Sequence, residues 1–354
     1  MEVQEILQDI VFLVLYGGVM GLSVAEALYL LLRRSNAIAP GVTPPLRLRL
    51  WAAAIMLENV FSHVLWLVYF CHPSVTVYIL VCTLDILLLI PIITGILLSM
   101  LQDRHRLVWP MAVALVPAIV LSALSIIRKN DDFLLWQGIY VIALYALLIV
   151  YMFFAVRRYG RWLRDNYADL ENKEVWQSLL ILAVFVLFSI LYIFTSGQTR
   201  FLTYLLEFVC IIIMALLLWR VETLQSLSES AMPEVEEPDT PTKMDTLLKK
   251  HCEDKLLYLQ NDLTLAQLAN AIGTNRTYLS QHFAQQGITY NAYINGLRVR
   301  HFVRLYQESV AEGREVTAQQ LSSESGYRSY STFSSTFKQI MGTTVTAWMR
   351  NAGK

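Results

Sequence analysis

Residues 263–283 read LTLAQLANAIGTNRTYLSQHF, and this stretch decides the fold of the C-terminal third of the chain. Apolar residues at helical spacing mark the inner face of a short helix, and a glycine follows where a tight turn needs free backbone angles. An asparagine two residues later is a good N-cap for a second helix. The pattern predicts a helix-turn-helix unit with the marker residues Leu265, Leu268, Ala269, Ile272, Gly273, Asn275, Leu279 and Phe283.

A second stretch repeats this design. Residues 316–337 read VTAQQLSSESGYRSYSTFSSTF, and residues 289–309 between the two stretches are predicted to form one long helix. One helix-turn-helix pattern is a weak signal, but two in this order, joined by a long helix, are a strong one. The marker residues of the second unit are Ser322, Gly326, Phe333 and Phe337.

Charge is distributed unevenly although the whole chain has a net charge of zero. Residues 243–354 hold 13 Lys and Arg against 8 Asp and Glu, whereas residues 222–239 hold six acids and no base. A basic domain behind an acidic spacer favours a nucleic-acid partner. Arg298, Arg300 and Arg304 recur at helical spacing on the long helix, where they are expected to pair with acids or to touch phosphates.

The first part of the chain is apolar enough for a membrane. The protein is 56% hydrophobic, and a bilayer-spanning helix needs about 20 apolar residues. Because backbone polar groups in lipid must be satisfied within their own segment, the spans are predicted to be helices. The predicted fold is therefore all-α, about seven transmembrane helices followed by an all-helical double helix-turn-helix domain. The predicted spans are residues 8–32, 48–70, 75–101, 107–127, 134–156, 177–195 and 201–219.

Basic residues in the connectors predict the orientation of these spans. The first, third and fifth connectors hold eleven Lys and Arg, and the other three hold three. This bias predicts an N-terminus outside and a C-terminal domain in the cytoplasm, in a multi-pass membrane protein. The predicted domains are residues 1–220 (membrane sensor region), 221–243 (juxtamembrane helix and acidic, Pro-rich linker) and 244–354 (DNA-binding domain).

Ionisable residues inside the spans are costly and usually face a bundle interior or a cavity. Two interpretations remain open: the acids are hydrogen-bonded contacts between helices, or they line a cavity that senses a cationic ligand or protons. The candidate sensing residues are Glu58, His63, Asp85 and Glu207. The four cysteines show no metal-ligand spacing, so we expect no metal and no cofactor.

The C-terminal pattern resembles the DNA-binding domain of the AraC/XylS family of bacterial transcription regulators. The resemblance covers about 105 of the 354 residues, and the multi-span N-terminal part is similar to membrane-anchored members of that family. The resemblance implies a location in the bacterial inner membrane. The residues that carry it are Leu268, Ala269, Gly273, Tyr278, Leu279, Ser280, Phe283, Tyr293, Ile294, Leu297, Arg298, Gly326, Tyr327, Phe333, Phe337, Lys338, Gly342, Trp348, Met349 and Arg350. The family often has a basic residue where Gln281 and Ser335 stand.

The resemblance implies that the second helix of each unit enters a major groove, with the two grooves about 34 Å apart on one face of DNA. Arg side chains would read guanine and Gln would read adenine, while Lys338 would hold a phosphate. The implied DNA-binding residues are Arg276, Thr277, Ser280, Gln281, His282, Arg328, Ser329, Tyr330, Thr332, Ser334 and Lys338.

The leading hypothesis is a membrane-bound, sequence-specific transcription regulator that couples a signal at the membrane bundle to promoter binding. Its expected partners are double-stranded DNA, the lipid bilayer, a second copy of the chain and an unknown small-molecule or ion signal. The alternative is a transporter or channel-like protein with a regulatory DNA-binding tail. An enzyme is not expected, because HExxH, GxSxG and paired-cysteine motifs are absent from the sequence.

Overall fold

The computed structural model of the protein describes residues 9–33, 36–38, 43–129, 133–184, 200–227 and 241–352. Backbone contacts divide the chain into two compact units. The first unit holds residues 1–159 and 175–227, and the second holds residues 160–174 and 228–354. Over the described ranges the fold is all-α, as the sequence predicts, and the only β pairing there is an isolated bridge between Tyr167 and Thr264.

The first unit consists of long apolar helices. Within the described residues, six helical stretches are long and apolar enough to cross a membrane, with residues 109–128 counted as one stretch. The seventh predicted span, residues 177–195, lies mostly outside the described residues, although its backbone is helical at 177–184. The helices are α1 (Ile10–Leu32), α2 (Leu46–Cys71), α3 (Val75–Met100), α4 (Trp109–Ala114), α5 (Val116–Arg128), α6 (Leu134–Asn166), whose last residues belong to the second unit, and α7 (Arg200–Thr223).

Local chemistry fixes where these helices begin and how they pack. Asp9 caps α1 by accepting a hydrogen bond from the backbone N–H of Phe12 at 3.2 Å, and Ser74 caps α3 in the same way. The helix α2 packs against both α1 and α3, and α7 packs against α1 and α2. Gly95 of α3 lies directly beside the indole of Trp51, where an added Cβ would overlap the ring, so this close contact requires glycine.

The end of α7 differs from the prediction. The sequence favours a helix that continues beyond the last span, but α7 ends at Thr223 and residues 224–227 are not helical. The backbone carbonyl of Glu222 accepts a hydrogen bond from Asn36 Nδ2 at 2.9 Å, and the N–H of Ser226 donates to the carbonyl of Thr43 at 2.7 Å. In a longer helix these two backbone groups would bond each other, so their other partners end the helix. The predicted linker 233–242 lies mostly outside the described residues.

The second unit contains the C-terminal domain. Its predicted start at residue 244 falls inside a helix that begins at Pro241, and a π-helical turn (Lys249–Glu253) and a 3-10 turn (Leu257–Leu259) follow that helix. Residues 160–174, which lie between two predicted spans, also belong to this unit. The helices are α8 (Pro241–Leu248), α9 (Leu265–Ile272), α10 (Arg276–Gln285), α11 (Tyr290–Ala311), α12 (Ala318–Glu324), α13 (Tyr330–Met341) and α14 (Val345–Ala352).

Two clusters of buried side chains hold this unit together. One cluster surrounds α9 and α10, and the other surrounds α12 and α13. The helix α11 contributes its first half to one cluster and its second half to the other, so it links the two. All predicted apolar markers are buried: Leu265, Leu268, Ala269, Ile272, Leu279, Phe283, Phe333 and Phe337.

Candidate nucleic-acid interface

The first helix-turn-helix unit, α9 and α10, is fixed by caps at its helix ends. Thr264 forms a capping box with Gln267, whose backbone N–H donates to Thr264 Oγ1 at 3.2 Å while its side chain accepts from the Thr264 N–H at 2.8 Å. Gly273 ends α9 in the left-handed conformation, with a φ of +73°. Asn275 then caps α10 by accepting a hydrogen bond from the N–H of Tyr278 at 2.9 Å. The predicted turn and N-cap are confirmed.

The second unit, α12 and α13, turns at Gly326 with a φ of +85°. A Cβ at this position would lie 2.7 Å from the carbonyl oxygen of Leu259, so both the backbone angle and the close packing require glycine. Ser329 caps α13, since its Oγ accepts a hydrogen bond from the N–H of Thr332 at 3.3 Å. Gly342 ends α13 in the left-handed conformation.

Arg298 on α11 connects the two helix-turn-helix units in the interior of the C-terminal domain. Its side chain is 1% exposed, and its guanidinium donates to the carbonyl oxygens of Tyr258 at 2.8 Å, Gln260 at 2.7 Å and Asn261 at 3.1 Å. The guanidinium also lies 5.4 Å from the centre of the Tyr327 ring. The expectation that Arg298 pairs with an acid or touches phosphate is therefore wrong, because backbone carbonyls and an aromatic ring satisfy it.

The two other arginines of α11 are exposed. Arg304 forms an ion pair with Glu308 one helical turn later, with 3.8 Å between Nε and Oε1. This is one of the two roles that the sequence predicts for it. Arg300 is exposed on the same helix.

The first predicted reading helix, α10, presents most of its implied DNA-binding residues to solvent. Thr277 and Gln281 are exposed, and Arg276 and Ser280 are half-buried. Their positions follow from the helical register, because Leu279 and Phe283 occupy the opposite, buried face. The four side chains thus form one continuous polar face that is available for base edges.

His282 does not belong to that face. It is 7% exposed, and its Nε2 lies 2.9 Å from Asp245 Oδ1, while the Gln286 side chain approaches both groups. The resemblance implies a reading role for His282, but the structure turns it inward toward α8. We therefore leave it out of the proposed reading set.

The second predicted reading helix, α13, differs from the first because several of its side chains already have partners. Arg328, Tyr330 and Lys338 are exposed, and Ser334 is half-buried. Ser329 acts as the N-cap. The hydroxyl of Thr332 donates to the carboxylate of Glu171 at 3.1 Å, a contact that the sequence does not predict.

Residues 167–173, which we call the connector segment, pack into the same compact unit as the C-terminal helices. The carbonyl oxygen of Ala168 accepts hydrogen bonds from Asn291 Nδ2 at 2.7 Å and Asn295 Nδ2 at 3.2 Å, and its N–H donates to Leu263 O at 3.3 Å. Ala168 is 2% exposed and lies in the core cluster around α9. Sequence periodicity misses this contact, because the segment is short and irregular and lies far from residue 263 along the chain.

The charges of the connector segment are largely buried. Burial raises the pKa of the Asp169 carboxyl, while the N–H of Glu171 and the ammonium of Lys173 oppose that rise. Burial lowers the pKa of Lys173, with Asp169 and Asp262 opposing and Arg328 adding to the effect. The Lys173 ammonium lies 4.0 Å from Asp262 and close to the Tyr167 ring. The segment therefore lies within electrostatic reach of the second reading helix.

The candidate sensing residues lie in the first unit, and each lies within electrostatic reach of at least one of the others. His63 and Glu207 form a buried pair with 3.2 Å between Nε2 and Oε2, and Tyr16 donates a hydrogen bond to the carbonyl of His63. Asp85 instead accepts a hydrogen bond from Trp66 Nε1 at 2.8 Å.

Glu58 is buried on α2. Among the described residues, no cluster of three or more His, Cys, Asp or Glu side chains could hold a metal ion.

Comparison with known proteins supports the DNA-binding interpretation. Residues 268–351 match a family model described as a helix-turn-helix domain, of the type found in AraC regulators. The match spans both turn glycines and the whole of α11. It indicates that this part of the chain is the DNA-binding domain of a transcription regulator. No curated protein and no solved structure matches the chain.

Proposed function

We propose that this protein is a membrane-anchored transcription regulator that binds specific promoter sequences through α10 and α13. The observation that carries the proposal is the pair of capped helix-turn-helix units on one long helix, within the residues that match the helix-turn-helix family model. The reading set that we propose comprises Arg276, Thr277, Ser280, Gln281, Arg328, Tyr330, Thr332 and Ser334, with Ser329 as cap and Lys338 on a phosphate.

Contacts between connectors support an orientation with the DNA-binding domain in the cytoplasm. Arg47 Nη2 in the first connector region donates to the carbonyl of Arg106 in the third at 2.6 Å. Gln102 of the third connector donates to the carbonyl of Gln225, just after α7, at 2.9 Å. These contacts favour one side of the membrane for the first connector, the third connector and the start of the C-terminal part. The odd-numbered connectors carry most of the positive charge, which favours the cytoplasm for that side.

The signal is proposed to act on the buried polar contacts of the membrane helices. The His63–Glu207 pair joins α2 to α7, and the Trp66–Asp85 bond joins α2 to α3. Polar contacts inside a membrane bundle hold specific helix arrangements. A cation or proton that altered the His63–Glu207 pair would shift α7, whose end leads to the DNA-binding domain.

A second copy of the chain is the partner that we propose within the membrane. Gly17 and Gly21 lie one helical turn apart on α1, both are exposed, and nothing in the chain lies within 4 Å of a Cβ added at either. Small residues at this spacing allow close approach of another helix. Pairing in the membrane would raise the effective concentration of a second DNA-binding domain at a promoter.

Chromatin immunoprecipitation of the full-length tagged chain from bacterial membranes tests the proposal. We expect enrichment of discrete promoter sites that disappears in the double variant Arg276→Ala, Arg328→Ala, while the protein stays in the membrane fraction. Glu207→Gln is expected to change site occupancy without changing membrane insertion. A differently tagged second copy is expected to co-purify, and less of it with Gly17→Ile.

A membrane-inserted chain that enriches no site above the double variant would exclude a DNA-binding regulator. If sites are enriched but Glu207→Gln leaves their occupancy unchanged under every growth condition, the sensing role of the His63–Glu207 pair is wrong. Equal recovery of the second copy with Gly17→Ile would exclude dimerisation through this face of α1.

A further inference from the structure

The connector segment makes two kinds of contact with the DNA-binding domain. Toward the first helix-turn-helix unit the contact is through the backbone and is buried, with Tyr167 bridged to Thr264 and Ala168 bonded to Leu263 and Asn291. Toward the second unit the contact is made by a side chain, with the Thr332 hydroxyl donating a hydrogen bond to the Glu171 carboxylate at 3.1 Å. The first contact is suited to permanent attachment, and the second to opening and closing.

A tight turn presents Glu171 to the second unit. The N–H of Glu171 donates to Asp169 Oδ1 at 2.9 Å, and the N–H of Lys173 donates to the carbonyl of Leu170 at 3.1 Å. Asn172 adopts the left-handed conformation, with a φ of +61°, which reverses the chain. The side chain of Lys173 folds back toward Asp262, while the side chain of Glu171 extends toward α13.

Thr332 belongs to the first turn of α13, where the proposed reading set is concentrated. While its hydroxyl donates to Glu171, it has no proton left to donate to a phosphate or to an acceptor on a base edge. The same oxygen also lies 3.0 Å from the hydroxyl of Ser329. The carboxylate would also repel a DNA phosphate brought to this position, because the two groups carry the same charge. Glu171 therefore stands where the second unit would meet DNA.

We propose that the connector segment is an autoinhibitory clasp that DNA or a signal must open. Tyr167 and Ala168 anchor it to the first unit, and Glu171 holds Thr332 of the second, so only the first unit is free to read DNA while the clasp is closed. The proposal rests on the proposed function and specifies its regulation. Since the segment follows α6 directly along the chain, a movement of α6 would be transmitted to it through the backbone, and no other protein is needed.

The strength of the clasp is taken from the hydrogen bond between Glu171 and Thr332. One hydrogen bond to a carboxylate contributes modestly to stability, so the closed form weakens DNA binding by about threefold to tenfold rather than abolishing it. A weak clasp suits a switch, because a small difference in free energy between two arrangements of the membrane helices is enough to open it.

DNA affinity of the full-length chain in lipid nanodiscs tests the clasp. The probes are duplexes selected by the wild-type chain from sheared genomic DNA of the host. Glu171→Gln is expected to bind them about threefold to tenfold more tightly than the wild type. The matched control is Glu315→Gln, which removes the same charge from an exposed position before α12 and is expected to change affinity by less than about twofold.

Hydrogen exchange on the same samples provides a second readout that does not depend on the variant. Adding the selected DNA to the wild-type chain is expected to speed exchange at residues 169–173, while the amides of Ala168 and Thr264 stay protected. The same two amides report whether Glu171→Gln keeps the anchor intact.

The outcomes separate the clasp from the proposed function. If the wild-type chain selects DNA but Glu171→Gln binds it no more tightly than Glu315→Gln, the clasp is wrong and the regulator stands. If DNA slows exchange at 169–173, the segment is a DNA contact and not an inhibitor. If neither the wild type nor Glu171→Gln selects any DNA, both proposals fail.

Discussion

The turn glycines of the two helix-turn-helix units share a left-handed backbone but differ in their surroundings. At Gly273 an added Cβ would meet open space, whereas at Gly326 it would lie 2.7 Å from the carbonyl of Leu259. The first helix-turn-helix unit is therefore stabilised by its own helix caps and by the connector segment. The second packs its turn directly against the 3-10 turn at Leu257–Leu259. The comparison shows that one local design can be stabilised by different parts of the chain.

The reading helices differ in a related way. The polar face of α10 is open over Arg276, Thr277 and Gln281, but α13 has its Thr332 hydroxyl bonded to Glu171. The connector segment thus supports the folding of the first unit and occupies the reading surface of the second. A contact that stabilises one unit is also positioned to control the other.

The largest effect is expected from Ala168→Asp, which places a charge in the core around α9. We expect the free energy of local unfolding of residues 263–283 to fall by about 3–5 kcal/mol, because an uncompensated buried charge costs that much. Native-state hydrogen exchange of the full chain in detergent micelles measures this effect. The free energy of local unfolding of residues 316–341 should fall by less.

Ala271→Asp provides the control, since Ala271 is exposed on α9 and should leave exchange nearly unchanged. Equal loss of protection in both units after Ala168→Asp would mean that the connector segment does not belong specifically to the first.

A smaller difference is expected between the two glycine variants. Gly273→Ala should cost about 1–2 kcal/mol, the penalty for a left-handed residue with a Cβ. Gly326→Ala should cost about 2–4 kcal/mol, because the same penalty is joined by overpacking against the backbone of Leu259. The same exchange experiment compares them, and equal costs would show that the contact with Leu259 relaxes freely.

The smallest effects concern DNA binding by the two reading helices. Arg276→Ala should cost about 1–3 kcal/mol on selected duplexes and relax the preference at one base position, as expected for a base contact. Lys338→Ala should weaken binding to all sequences alike and reduce the salt dependence by about one phosphate contact. Titrations at several salt concentrations measure both, and a uniform loss with Arg276→Ala would make it a phosphate contact instead.

Local patterns in the sequence predict most of the DNA-binding domain. The turn at Gly273, the cap at Asn275 and the long helix between the units depend on residues a few positions apart, where residue type largely decides backbone conformation. The close contact between Gly326 and Leu259 joins residues far apart in sequence. Periodicity gives the turn at Gly326 but not what it packs against.

Other features of the site depend on tertiary contacts and could not be predicted. An arginine at helical spacing is usually solvated, yet Arg298 is buried because three backbone carbonyls from residues 258–261 converge on it. His282 has the right position on α10 to read DNA, but Asp245 on another helix holds it inward. The place of Ala168 in the core is encoded by no repeat or composition change around it.

The buried guanidinium of Arg298 has a consequence for the operator. Since it fastens the 3-10 turn and Tyr327 to α11, we expect the protein, and not the DNA site, to set the distance between the two reading helices. Under the proposed function, the double helix must then bend or change its twist to bring successive grooves to both helices. Base pairs between the half-sites would affect affinity through their stiffness, although no side chain touches them.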